Sequence, residues 1–212
     1  MKQLHTVVKL TVLLVFGAGF VSTSLPLAAT DGYAPDFTGA TMMGEQISLS
    51  DFRGQPVVLE WTNHLCPYVR KHYGSGNMQK TQRALTEDGA VWISIISSAP
   101  GKQGHVSAVE ARQLTAARAS YADYVVLDSS GAIGRLYGAK TTPHMFIVGE
   151  TGTLLYQGAI DDIPSASRSS LKNANNLVLA AWTQITTGEA VAMPNTKPYG
   201  CTVKYGGGTP GK

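Results

Sequence analysis

The sequence predicts an α/β fold in which a mixed central β-sheet is flanked by helices. Two buried apolar runs, residues 57–59 and 90–96, are each followed by a helical segment, a pattern typical of parallel strands joined by helices. The turn at residues 149–152 then separates two further short strands, which indicates an antiparallel hairpin. Parallel crossovers followed by a hairpin predict a sheet of mixed direction.

Each element has a local signal. Residues 36–54 alternate short apolar pieces with glycine and predict an N-terminal β-hairpin extension. Pro67 occupies a first helical position, where its missing N–H costs nothing, and a glycine-rich break at residues 74–76 precedes a second helix. The remaining predicted elements are a helix from Ser107, a strand at 124–127, a brief helix ending at Gly138, strands at 144–148 and 153–156, and a helix over about 172–186.

The first 29 residues are typical of a secretory signal peptide. A basic start precedes an apolar run at residues 10–20 and a zone of small residues, with cleavage expected near Ala28 or Ala29. The run is shorter than the roughly 20 residues of a membrane-spanning helix. We therefore expect a periplasmic or otherwise exported protein, associated with a membrane only if the signal is kept as an anchor.

The mature chain is predicted to comprise one domain over residues 30–190 and a C-terminal tail over 191–212. Removal of the two lysines in the signal lowers the formal net charge from +3 to +1. Basic residues form no run with interleaved aromatic residues, so a nucleic-acid partner is not expected. A copper carrier would need two close thiolates and a histidine, and Cys66 with His144 supplies one of each. No metal and no cofactor are therefore predicted.

Cys66 is the main candidate nucleophile. It stands at the start of a predicted helix, where the helix dipole and unpaired N–H groups favour a thiolate. Arg70 and His64 are candidates to support that thiolate with positive charge. The alternative interpretation is a half-cystine or an inert buried thiol.

Glu60 interrupts the apolar strand that leads to Cys66. A carboxylate inside a buried strand is unfavourable unless it is paired or protonated. One interpretation is a proton acceptor or donor beneath the thiol. The other is a strand-end carboxylate paired with a surface lysine.

Several motifs together resemble one family. They are APDF (34–37), ISLSDFRG (47–54), the strand with CPYV (57–69), TTPHMFIV (141–148), GAIDD (158–162) and KPYGCTVKY (197–205). The chain resembles the thioredoxin superfamily, in particular the alkyl hydroperoxide reductase/thiol-specific antioxidant (redoxin) branch and its exported peroxiredoxin-like relatives.

The resemblance implies a thioredoxin fold and roles for individual residues. Cys66 corresponds to the attacking cysteine and Glu60 to the buried acid below the active site. Thr142 and Pro143 correspond to a cis-proline loop, which with Pro67 would border a substrate groove. The implied activity is peroxiredoxin-like antioxidant chemistry, with a peroxide or a disulfide-bearing protein as substrate and a thiol as electron donor.

The chain departs from the family patterns at three positions. Val69 replaces the second cysteine of a C-x-x-C reductase, which would release a bound substrate. In the peroxidatic pattern P-x-x-x-T-x-x-C, Leu59 replaces the proline and Asn63 the threonine.

Cys201 then decides the function. It could resolve an oxidised Cys66 by forming a disulfide, bind it permanently as a structural disulfide, or lie far away as a free thiol. The first arrangement predicts a thiol oxidoreductase. The second predicts a non-catalytic thioredoxin-fold binding module.

Overall fold

A computed structural model describes residues 32–207. The predicted signal peptide, residues 1–29, lies outside the described residues. The strands are β1 (Thr38–Ala40), β2 (Gln46–Ser48), β3 (Val57–Trp61), β4 (Val91–Ile96), β5 (Tyr124–Leu127), β6 (Thr141–Thr142), β7 (His144–Val148), β8 (Leu154–Gly158) and β9 (Cys201–Thr202). The α-helices are α1 (Pro67–Gly74), α2 (Asn77–Glu87), α3 (Ala108–Ala117), α4 (Ala132–Leu136) and α5 (Leu177–Thr186).

The central sheet has the strand order β5-β4-β3-β7-β8. Strand β3 is parallel to β4 and antiparallel to β7, and β7 is antiparallel to β8. The predicted mixed sheet is thus confirmed, and so is the N-terminal hairpin, which β1 and β2 form. None of the helices within residues 32–207 is long and apolar enough to cross a membrane.

Both faces of the sheet are covered by apolar side chains. Alternation along β3 directs Val58 into one buried cluster, with Cys66 and α5, and directs Leu59 and Trp61 into another, with the N-terminal hairpin. All five residues of β3 are buried, as expected for a central strand covered on both faces. This strand delivers the loop that carries Cys66.

The last helix begins later than its sequence pattern predicts. A helix over about 172–186 was expected, but α5 begins at Leu177 and a short 3-10 helix, Arg168–Lys172, precedes it. The side chain of Asn176 accepts a hydrogen bond from the Leu179 N–H at 2.9 Å. This N-cap fixes the start of α5, since a capping residue lies outside the helix.

The C-terminal tail lies against the segment directly before β7. Its strand β9 pairs antiparallel with β6, and neither of these two-residue strands was predicted. Further along, the Val203 N–H donates to the Lys140 carbonyl at 3.1 Å, and the Tyr205 hydroxyl donates to the Ala139 carbonyl at 2.8 Å. Residues 195–206 therefore form a fixed strap over the domain.

A glycine is required where this strap meets the loop before Pro143. Gly200 has a φ of 138°, and a Cβ there would lie 2.1 Å from the Thr142 carbonyl oxygen. A side chain at this position would meet backbone, which cannot move aside as the end of a flexible side chain can.

We predict that Gly200→Ala detaches the strap locally without unfolding the domain. Strain of roughly 1–3 kcal/mol at this contact should speed hydrogen exchange of the Val203 N–H by at least about tenfold. Amide exchange detected by mass spectrometry would measure this. Gly207→Ala is the matched control, because a Cβ at that tail glycine meets no atom within 4 Å. Equal exchange in the two variants would contradict the prediction.

Candidate active site

Cys66 is the N-cap residue of α1, and its side chain is fully buried. Its backbone N–H donates to the Asn63 carbonyl at 3.0 Å, which closes the turn between β3 and the helix. Its thiol donates to the Thr142 carbonyl, with Sγ and O 3.0 Å apart. Pro67 follows in the first turn of α1, as predicted, and is exposed.

The Thr142–Pro143 peptide bond is cis, which confirms that expectation. Both residues are buried, so they do not border an open groove. The reason is that β9 pairs with β6 and places Cys201 opposite Thr142 in the register. The tail thus occupies the surface beside Pro143 that was expected to be the substrate groove.

Cys201 lies against Cys66, so the arrangement with two distant thiols is wrong. The pairing with Thr142 aligns it with the carbonyl that also receives the Cys66 thiol. The two side chains are close enough to hydrogen bond, and both cysteines are free thiols in this structure. Cys201 is half-buried whereas Cys66 is fully buried, so the tail cysteine is the more accessible of the two.

The environment shifts the pKa values of the two thiols in opposite directions. Burial raises the pKa of Cys66, but hydrogen bonds from the Cys201 and Thr142 side chains and from the backbone of Val69 and Cys201 outweigh it and lower the pKa below its ordinary value. Burial and the hydrogen bond to Cys66 raise the pKa of Cys201 to about 11. Cys66 is therefore the more acidic thiol of the pair, and Cys201 is the one placed to donate to its thiolate.

Neither of the two cationic candidates is among the groups that lower the pKa of Cys66. Arg70 is exposed on α1. Burial, followed by the charges of Arg118 and Arg70, lowers the pKa of His64, which keeps its imidazole neutral near pH 7. Hydrogen-bond donors, and not positive side chains, support the thiolate in this structure.

Glu60 is fully buried and accepts hydrogen bonds from four side chains. The donors are Tyr73 Oη at 2.9 Å, Ser94 Oγ at 3.0 Å, Trp92 Nε1 at 3.1 Å and Gln82 Nε2 at 3.3 Å. The predicted alternative, a pair with a surface lysine, is wrong, because no lysine is among these partners. Cys66 is not among them either. Glu60 instead binds Tyr73 and so ties the Cys66 helix to the sheet.

The segment before Cys66 lacks the hydroxyl of a peroxidatic site. Asn63, at the threonine position, accepts from the Leu65 N–H at 2.9 Å and donates to the Gln103 carbonyl at 3.2 Å. Its amide therefore shapes the loop. The hydroxyl of Thr62 is buried without a partner among the described residues.

A buried polar cluster anchors the tail close to Cys201. Lys71, on α1, forms an ion pair with Asp161 at 3.0 Å, and both side chains are almost fully buried. Tyr199 donates to Asp161 and lies 3.0 Å from Lys71 Nζ. Sequence reasoning missed this cluster, because 90 residues separate Lys71 from Asp161. The only signal was the resemblance of GAIDD and KPYG to family motifs.

The structure does not form the copper site considered from the sequence. In β7, alternation places His144 with Phe146, on the opposite face of the sheet from the cluster that contains Cys66. The His144 Nδ1 accepts from the Lys140 N–H at 3.3 Å. Within residues 32–207, no group of three or more His, Cys, Asp or Glu residues is arranged to hold a metal ion.

Comparisons with known proteins agree with this fold. The model of the AhpC/TSA family matches residues 31–157, so the chain belongs to that family, a thioredoxin-superfamily branch of redoxins. No curated protein sequence matches the chain.

Two solved structures superpose on the chain with a TM-score of 0.68 and 20% sequence identity. The match to a hypothetical protein from Sinorhizobium meliloti 1021 covers 83% of this chain and 94% of that protein's chain. An uncharacterised conserved protein from Geobacillus kaustophilus covers 84% and 92%. A proposed protein disulfide isomerase from Bacteroides thetaiotaomicron has a TM-score of 0.51 and 18% identity over 74% of this chain and 87% of its own. At these identities the likeness shows the thioredoxin-like fold alone.

We predict that Cys201→Ala raises the pKa of the Cys66 thiol, because it removes a hydrogen-bond donor to the thiolate. The midpoint of the ultraviolet thiolate absorbance should therefore move to higher pH. Cys201→Ser is the control, since its hydroxyl keeps a donor and should cause a smaller rise. A midpoint that stays in place or falls in Cys201→Ala would contradict this assignment.

Proposed function

We propose that the chain is an exported thiol oxidoreductase in which Cys66 is the nucleophile and Cys201 the resolving cysteine. The observation that carries the proposal is the contact between the two thiols across the β6–β9 pairing, with opposite pKa shifts. A low-pKa thiol beside a protonated partner is the arrangement that thiol exchange requires. Cys201 thereby does from the tail what Val69 cannot do from α1.

With a disulfide substrate, two exchanges complete the reaction. The Cys66 thiolate attacks one sulfur, forms a mixed disulfide and releases the other half of the substrate as a thiolate. Cys201 then loses its proton and attacks Cys66 Sγ, which forms the Cys66–Cys201 disulfide and releases the second half. An external dithiol donor reduces the protein disulfide and is itself oxidised.

A peroxide would use the same pair. The Cys66 thiolate would attack one oxygen, giving a sulfenic acid and an alkoxide or hydroxide that takes up a proton. Cys201 would condense with the sulfenic acid, forming the disulfide and water. Asn63 stands where the peroxidatic pattern has a threonine hydroxyl, and its amide is engaged by the Leu65 N–H and the Gln103 carbonyl. Because no hydroxyl is present at this position to bind a peroxide, the disulfide is the favoured substrate.

Access to Cys66 requires the tail to move. Cys66 is fully buried under β9, and a substrate reaches its sulfur only when β9 leaves β6. Such departure would expose the Thr142 backbone and Pro143 as a surface for an extended substrate segment, since an unpaired strand edge can accept another chain. Pro67, exposed at the head of α1, would border the same surface.

The expected result is complete loss of disulfide turnover in Cys66→Ser, because no thiolate is left to attack. Cys201→Ser should instead retain the first exchange and accumulate a mixed disulfide on Cys66, since nothing resolves it. Oxidation of a dithiol donor in the presence of an oxidised peptide measures the turnover. Intact-mass spectrometry of the protein detects the mixed disulfide. Full turnover by Cys66→Ser would refute the proposal.

A second candidate is a non-catalytic binding module with a structural Cys66–Cys201 disulfide. The extensive anchoring of the tail, through Tyr199 and Tyr205, favours it. A disulfide in this role should stabilise the fold by about 2–4 kcal/mol, so Cys201→Ser should lower the free energy of unfolding by that amount and trap no substrate. A trapped mixed disulfide with little loss of stability would exclude it.

Glu60 is proposed to position the nucleophile through Tyr73, and its proton-transfer role stays a prediction. Glu60→Gln should cost about 1–3 kcal/mol of stability, because the amide N–H groups that replace one carboxylate oxygen would face side chains that donate to Glu60. Denaturant unfolding measures this cost, and Glu45→Gln is the control because Glu45 is exposed.

Alkylation of Cys66 at different pH values distinguishes the two roles of Glu60. If Glu60 only positions the nucleophile, Glu60→Gln should lower the alkylation rate by the same factor at every pH. A change in the shape of the pH profile would contradict it and support proton transfer.

A further inference from the structure

A cavity lies beside the helix that carries Cys66. It has a volume of about 460 Å³ and is bordered by α1, the start of α2, the end of α3 and Arg168. Its lining includes His64, Leu65 and Val69, which surround Cys66 in the sequence. Val69 and Tyr73 follow Cys66 by three and seven residues, so the cavity extends along the helical face that begins at the nucleophile.

The lining of this cavity is strongly cationic. Arg70, Arg118 and Arg168 all border it, and no carboxylate does. Within residues 32–207 the salt bridges involve Lys71 and His72, so none of these arginines is paired with an acid there. Three unneutralised guanidinium groups around one concave surface create a positive potential that attracts anions.

The guanidinium of Arg118 is held in place but keeps one nitrogen without an acceptor among the described residues. Its guanidinium carbon lies 4.2 Å from the centre of the Tyr73 ring, and its Nε donates to the Leu114 carbonyl at 3.3 Å. Its Nη1 is buried and has no hydrogen-bond partner among the described residues. A buried guanidinium N–H without an acceptor is unfavourable, and an anionic oxygen would satisfy it.

Gln79 adds a second feature to the cavity. Its Oε1 is buried without a partner, while its Nε2 donates to the Tyr73 and Arg118 carbonyls at 3.0 and 2.6 Å. A free amide oxygen next to free guanidinium groups fits a ligand that carries both a carboxylate and an N–H or O–H donor. Carboxylate-bearing peptides and amino-acid thiols have both groups.

We propose that this cavity binds the carboxylate of the disulfide substrate and thereby selects anionic disulfides for attack by Cys66. The inference rests on the proposed function, which it deepens by naming the class of substrate. Arg118 acts as a specificity residue that touches the substrate carboxylate, and Gln79 accepts from a neighbouring donor. The anion contributes binding energy beside the nucleophile, where it raises the rate of the first exchange.

The test compares two aromatic disulfides of similar size on the reduced full chain carrying Cys201→Ser, so that Cys66 is the only thiol. Dithiobis-nitrobenzoate carries two carboxylates, and dithiodipyridine carries none at neutral pH. Each reports the release of one thiol per Cys66 by its absorbance. The ratio of the two rate constants isolates recognition of the anion, because changes in thiolate fraction or tail opening affect both probes.

Arg118→Gln should lower the rate with the anionic probe about tenfold relative to the neutral probe, as expected for the loss of one charge-assisted contact. Arg112→Gln is the matched control, because Arg112 lies on α3, whose C-cap is Arg118, and it is exposed and does not border the cavity. Inorganic sulfate should slow the anionic probe in the protein with Arg118 and leave the neutral probe unchanged. An equal ratio in the two arginine variants overturns the inference.

A binding measurement separates failure of the site from failure of the proposed function. Nitrobenzoate has the carboxylate but no disulfide, and calorimetry should show at least fivefold weaker binding to Arg118→Gln than to Arg112→Gln. If Cys66 reacts with neither disulfide while nitrobenzoate binding depends on Arg118, the anion site stands and the oxidoreductase proposal falls. If nitrobenzoate binding does not depend on Arg118, the anion site is wrong.

Discussion

The antiparallel pairing of β9 with β6 is the contact on which the site depends. The Thr142 carbonyl receives the Cys66 thiol, and Gly200 approaches the same oxygen so closely that only a glycine fits. This register sets Cys201 beside Cys66. One backbone pairing therefore covers Cys66, places a hydrogen-bond donor that lowers its pKa and brings the second thiol beside it.

In the proposed function, the tail has two roles that favour opposite states. Cys201 would resolve Cys66 while β9 is docked, but an external substrate would reach the buried sulfur only after β9 has left β6. Tyr199 opposes opening, since its departure with the tail would break its hydrogen bonds with the buried Lys71 and Asp161 side chains. The free energy of substrate binding must offset the cost of opening the tail. An anionic group of the substrate held beside α1 would add to this binding free energy, because its site does not overlap β9.

The sequence predicted the parts of the site that depend on local pattern. Pro67 after Cys66 indicated the helix start, and the continuous apolar strand around Glu60 indicated that it is buried. The tail was beyond this reasoning, because strands of two residues have no periodicity to detect. The sequence also did not predict that Lys71 contacts Asp161 or that Arg118 contacts Tyr73, for a related reason. Their surroundings come from elements far apart in the chain, so burial and pairing appear only once the fold is known.

The proposed function requires Cys66 and Cys201 to form a reversible redox couple, which a redox titration can measure. Full-length mature protein would be equilibrated in dithiothreitol buffers of graded potential, then alkylated and analysed by peptide mass spectrometry. We expect one two-electron transition that links the two cysteines, with a midpoint above the roughly −300 mV below which structural disulfides lie. A bond that persists below that potential, or two thiols that never link, would contradict it.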